Sequence, residues 1–130
     1  METLKLDLDI KDFQKVVSIV RNRCAVFNIL DFVKPIGCRV FSTAKGYHIY
    51  LVTEGKELNS FDICFLQMAL GSDYKRETFN FMRFRDSLDK KWNVLFESKY
   101  DGQGNLLSHE VAEPVLSDVL WKAIQERVKA

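Results

Sequence analysis

Leu4, Leu6, Leu8 and Ile10 alternate with Lys5, Asp7 and Asp9. This alternation narrows the possible folds more than any other feature of the chain. Successive side chains of an extended strand point to opposite faces, so one face here is apolar and the other carries charge. A strand of this kind is buried on one side only. It therefore needs strand neighbours in a sheet and a layer of apolar side chains packed over its leucines.

The covering layer is legible downstream. After Asp12, which suits a helix N-cap, Phe13, Val16, Val17, Val20, Cys24 and Phe27 recur at helical spacing and form one apolar stripe. Pro35 and Gly37 end that section. Residues 39–43 and 47–52 read as two strands joined by a turn at Ala44-Lys45-Gly46. Ser60 is expected to cap a second helix carrying Phe61, Cys64, Phe65 and Met68, with Gly71 as its stop, and Ser72-Asp73 begin another helical run. Residues 92–96 read as a further strand, 101–105 as a turn and 106–111 as a short return strand. Pro114 opens a last helix with Val115, Leu116, Val119, Leu120, Ile124 and Val128 on one stripe. The expected fold class is α+β: a ferredoxin-like, RRM-like βαββαβ sheet with helices on one face, extended by a C-terminal hairpin strand and helix. With no repeat, linker or low-complexity tract, residues 1–130 are expected to form a single domain.

Composition sets limits on function. Nineteen basic residues against eighteen acidic ones give a net charge of +1, which argues against strong non-specific attraction to nucleic acid or an acidic membrane. Three cysteines, with no Cys-x-x-Cys pair, argue against a disulfide framework or a thiolate zinc site. No run approaches the ~18 apolar residues of a membrane span, and the N-terminus lacks the look of a signal or transit peptide. The expectation is a cytoplasmic protein without membrane attachment. No phosphate-binding glycine loop, dinucleotide fingerprint or nucleophile elbow occurs.

Strand parity then selects the residues of the face left open by the helices. If the leucines of the first strand and Tyr47, Ile49 and Leu51 face the core, then Asp7, Asp9, His48 and Tyr50 face away, joined by Glu97 from the Trp92 strand. Carboxylates two residues apart on a strand stand roughly 6.5 Å apart at Cα and can converge on a hard divalent cation, Mg2+ or Mn2+. Such ions can clamp the oxygens of a transferring phosphoryl group, and a neighbouring imidazole can donate to a phosphate.

Asp7-Leu8-Asp9 followed by Ser42-Thr-Ala-Lys-Gly-Tyr-His48-Ile-Tyr50 resembles the first two motifs of the archaeo-eukaryotic primase superfamily. That family has a hydrophobic strand with Asp-x-Asp, a Ser-x-His-like hairpin strand, and an RNA-recognition-like sheet in its catalytic half. The resemblance runs over residues 1–52. It implies a metal-dependent nucleotidyltransferase in which Asp7 and Asp9 hold the metal and His48 contacts the nucleotide phosphate. The third family motif is an Asp on a later strand; Glu97 is its nearest counterpart here, with Asp101 behind it. Typical members are also larger, so the resemblance equally accommodates a trimmed, non-catalytic relative. The stretch Leu70 to Glu77, with Asn80, Arg83 and residues 92–96, is similar in style to small proteins of archaeal viruses and plasmids.

The expected ligand is a nucleotide or nucleic acid. Ser42, Lys45, His48 and Tyr50 would contact it on the hairpin, and Arg76, Arg83 and Arg85 would contribute from a locally basic segment. The alternative class is a non-enzymatic interaction module, a viral or plasmid accessory protein that binds a protein partner or a second copy of itself. A third reading is a nucleic-acid binder without catalysis that relies on the three arginines.

Overall fold

The structure, a computed structural model, describes residues 2–29, 33–55, 57–86, 92–93, 98–100 and 102–128. Its elements are β1 (Glu2–Leu8), α1 (Phe13–Ile29), β2 (Val33–Ser42), β3 (Tyr47–Gly55), α2 (Ser60–Ala69), α3 (Tyr74–Asp86), β4 (Ser98–Tyr100), β5 (Leu106–His109), β6 (Val111–Ala112) and α4 (Pro114–Val128). The class is α+β, with a four-stranded antiparallel sheet in the order β1-β3-β2-β6 and a separate two-stranded sheet, β4-β5.

The core forms where parity places it. Leu4, Leu6 and Leu8 of β1 pack with Ile49 and Leu51 of β3 and Val40 of β2. Val16, Val17, Val20 and Cys24 of α1, Leu66 and Leu70 of α2, and Leu120 and Ile124 of α4 close over them. The last helix thus lies on the same side of the sheet as α1 and leaves the opposite face to Lys5, Asp7, His48 and Tyr50.

Local signals set the helix ends, with one displacement. Asp12 Oδ1 accepts from the Gln14 amide at 3.0 Å, and Pro114 is the first residue of α4. The cap of α2 is Asn59, not Ser60. Asn59 Oδ1 accepts from the Asp62 amide, and Asp62 Oδ2 accepts from the Asn59 amide, a reciprocal capping box. The stretch 60–86 forms two separate helices, α2 and α3. Gly71, at φ +111°, bonds back to Met68 while Ser72 bonds back to Gln67, the paired closure of a Schellman motif. Asp73 then caps α3 through the Arg76 amide.

The C-terminal hairpin differs from the single return strand expected at 106–111. β5 ends at His109 and pairs with β4, whereas β6 begins at Val111 and joins the main sheet beside Phe41 and Ser42 of β2. Glu110 is the one residue between them, so the chain changes sheets there. Trp92 and Asn93 are not in a strand; the rest of the strand expected at 92–96 lies outside the described residues, as do Glu97 and Asp101.

No helix among the described residues is long and apolar enough to cross a membrane. The three cysteines are free thiols. Burial pushes Cys24 and Cys38 up to about 12 and Cys64 up to about 11, the adjacent Cys38, Asp118 and Glu77 respectively adding to the effect. Thiolate is the reactive form, so alkylation of the native protein at neutral pH is expected to be far slower than in denaturant, read by mass spectrometry. The native thiols hold protons that an unfolded chain releases, so this contribution to stability is full below pH 9 and is lost as pH rises from 9.0 toward about 12. A Cys24→Ala variant should show a shallower alkaline fall in its urea midpoint; an unchanged slope would refute the assignment.

Candidate functional site

β1 and β3 pair antiparallel with Asp7 directly opposite His48. Cross-strand partners have Cβ atoms about 5 Å apart on one face, so two residues 41 positions apart meet side by side. The Asp7 Oδ1 to His48 Nε2 distance is 3.7 Å. Asp7 remains partly open to solvent, whereas His48 is buried, at 4% exposure.

The burial of His48 has a specific cause. Its Nδ1 lies 2.7 Å from Glu110 Oε1, and the same carboxylate oxygen accepts from the Tyr50 hydroxyl. His48 and Tyr50 share a face on β3, so one carboxylate arriving from the β5–β6 joint bridges both. The Tyr50 ring also packs edge-on against Phe41 of β2, with centroids 5.3 Å apart. Glu110 was missed by sequence reasoning. It is 62 residues from His48, and its only local signal is an acid between two short strands.

The hairpin turn is held against the end of β1. The Thr43 amide donates to the Gly46 carbonyl at 2.9 Å, and Thr43 Oγ1 accepts from the Gly46 amide at 3.2 Å. Gly46 is pressed onto the backbone of residues 8–10, where a Cβ would stand 2.1 Å from the Leu8 carbonyl oxygen. Asp9 lies just there, exposed and one residue past the end of the strand. Strand parity alone would align it with Asp7, but β1 ends before it.

The remaining candidates are scattered. Ser42 donates to Glu113 Oε1 at 2.8 Å, and Lys45 is exposed at the hairpin tip. Arg76 is a pin of the interior: it donates to the Lys5 carbonyl at 2.7 Å, to Asn93 Oδ1 at 3.0 Å and to Glu77. Arg83 donates to Asn80 Oδ1 at 2.8 Å, and Arg85 sits over the Phe81 ring at 5.8 Å. These bonds tie Arg76 and Arg83 to neighbouring side chains instead of leaving all three arginines as one solvated basic stripe.

Arg76 belongs to a polar network along the edge of β1 that pairs with no strand among the described residues. An edge strand exposes a row of amide and carbonyl groups that need partners. Here Gln67 Oε1 accepts from the Lys5 amide at 2.9 Å and Ser72 Oγ from the Asp7 amide at 3.0 Å. The Asp73 amide donates to the Asp7 carbonyl at 2.6 Å. Side chains and one helix cap thus stand where a further strand would, and both the amide and the carbonyl of Asp7 are bonded.

Carboxylate oxygens suit a hard divalent cation; the Asp7 carboxylate is partly open to solvent and Asp9 is exposed beyond the end of β1. Among the described residues no group of three or more His, Cys, Asp or Glu side chains is arranged to hold a metal ion. Comparison with known proteins found no match to any family model, curated protein or solved structure.

Proposed function

We propose that this domain binds a nucleotide or nucleic acid through the sheet face carrying Asp7 and His48, as a primase-like, RRM-like unit. The observation that supports the reading is the cross-strand pairing of Asp7 with His48, 3.7 Å apart. The order β1-β3-β2, antiparallel throughout, is also the order of those strands in the ferredoxin-like plan. In this reading Asp7 and Asp9 hold Mg2+ or Mn2+, which offsets the charge of a phosphate chain, while His48 and Lys45 engage the phosphates. Glu97 is the third metal ligand in the same proposal. Where nucleotidyl transfer takes place, the metal would stabilise the transferring phosphoryl group; a binder without catalysis uses the same contacts.

The test is calorimetric titration of Mn2+ with a nucleoside triphosphate into the wild type and into Asp7→Ala and Asp9→Ala. Metal-dependent binding is expected in the wild type and is expected to vanish in Asp7→Ala, with circular dichroism unchanged. Binding retained by a folded Asp7→Ala variant would reject the site.

A second reading, a non-enzymatic module for a protein partner, draws support from a different surface. Phe61, Phe65 and Met68 of α2 and Phe81 of α3 are exposed around a cavity of about 410 Å3. Exposed apolar patches of this kind are common at interaction sites. A wild type that binds no nucleotide would favour it.

A further inference from the structure

We infer that Glu110 is a positioning residue for the nucleotide site: it fixes the imidazole of His48 so that Nε2, and not Nδ1, is turned toward Asp7 and the ligand. This rests on the nucleotide-binding reading above. An imidazole has two distinct nitrogens, and the hydrogen bond made by one decides which hydrogen-bonding role is left to the other. His48 Nδ1 meets Glu110 Oε1 at 2.7 Å and Nε2 stands 3.7 Å from Asp7 Oδ1. A carboxylate accepts and cannot donate, so Nδ1 carries the proton in this contact, and Nε2 donates toward Asp7 and a phosphate when it carries a second proton.

The surroundings make the arrangement specific. Glu110 has only 9% of its side chain exposed, and it also accepts from Tyr50 on the same strand as His48. Glu110 sits at the joint where the chain leaves β5 and enters β6. Its backbone neighbours are fixed by pairing on both sides: Val111 pairs with Ser42, and His109 with Ser98. Ser108 Oγ accepts from the Ala44 amide at 3.1 Å, and the Glu113 amide donates to the Val40 carbonyl at 3.0 Å, so the whole segment is fastened to the hairpin that carries His48. The fixed backbone and the bond from Tyr50 restrict this carboxylate and favour the ring setting that meets it. Carboxylates that orient metal-bound imidazoles through the second nitrogen in this manner matter beyond stability, since their loss costs roughly 10- to 100-fold in metal affinity or activity, and the same orienting effect is expected here.

The experiment uses the full chain and two readouts. The first is long-range proton–nitrogen NMR of the histidine rings in the wild type. There are only two histidines, so a His109→Ala variant assigns the spectrum. Protonated Nδ1 in His48 is expected; a bare Nδ1 with the proton on Nε2 would overturn the inference at once. The second is Mn2+–nucleoside triphosphate affinity in Glu110→Ala and Glu110→Gln. Glu110→Ala is expected to bind roughly 10- to 100-fold more weakly. Glu110→Gln, which keeps an acceptor oxygen, should recover most of that loss. Unchanged affinity in a folded Glu110→Ala variant would overturn the inference. Should that variant not fold, Glu110→Gln decides through the ring spectrum: faster exchange of the Nδ1 proton supports the inference, and an unaltered signal counts against it. A wild type that binds no nucleotide would remove the functional reading, and the ring spectrum would then still decide whether Glu110 orients His48.

Discussion

Replacing Glu77 by alanine is expected to lower the unfolding free energy by about 3–5 kcal/mol, the range for removing one partner of a buried ion pair. Glu77 is 1% exposed, and its carboxylate accepts from Ser72 Oγ at 2.6 Å, Gln67 Nε2 at 2.8 Å and Asn80 Nδ2 at 3.2 Å, besides Arg76. Removing it deprives several donors of their acceptor and takes the Glu77 carboxylate away from the Arg76 guanidinium, which is 9% exposed. The consequences extend beyond the pair. Gln67, Ser72 and Arg76 are the side chains that satisfy the outer edge of β1 at Lys5 and Asp7, and Glu77 bonds to all three. A loss of this size is a large part of the ~5–15 kcal/mol that stabilises a typical domain. Urea unfolding followed by circular dichroism would measure it. Glu77→Gln should fall between wild type and Glu77→Ala, because the amide keeps one acceptor oxygen but not the charge. A change under about 1 kcal/mol for Glu77→Ala would mean that the network is solvated and not structural.

The second large effect is expected at Gly46. A Cβ there would meet the Leu8 carbonyl oxygen at 2.1 Å, the Ile10 amide nitrogen at 2.7 Å and the Asp9 Cα at 3.1 Å. All three are backbone atoms, so no side-chain rotation relieves the clash. Either the hairpin turn lifts from β1 or the end of β1 shifts; both move Asp9, and both disturb the register that sets Asp7 against His48. Gly46→Ala is expected to cost about 3 kcal/mol, the upper end for forced overpacking. Its amide NMR shifts should concentrate in residues 7–10 and 43–48. Gly102, where an added Cβ would meet nothing within 4 Å, serves as the comparison, and Gly102→Ala should stay within about 0.5 kcal/mol of the wild type. Equal stabilities for the two variants would show that the turn does not press on β1 as described.

Local geometry is written in the residue order. Alternation in β1 and β3 assigned Leu4, Leu6, Leu8, Ile49 and Leu51 to the core and put Asp7, His48 and Tyr50 on the other face, as observed. Side-chain direction along a strand repeats every two residues whatever the fold, so it can be read without knowing any partner. Helical spacing revealed the stripe of α1, and Gly71 marked a helix end because a positive φ is needed there.

What the residue order left open was every choice that depends on how the chain travels between elements. Asp9 shares the parity of Asp7 yet lies beyond the strand, because pairing stops at Leu8. Arg76 sits among charged residues and reads as a solvated cation; only the packing of α2 and α3 beside β1 brings it under the Lys5 carbonyl. Glu110 reaches His48 because the chain changes sheets at that residue, a path set by the β4–β5 and β2–β6 pairings together. Periodicity is a property of neighbours along the chain and survives in the sequence. The meeting of an imidazole with a carboxylate 62 residues away is a property of the closed fold, and it exists only once the two sheets have come together.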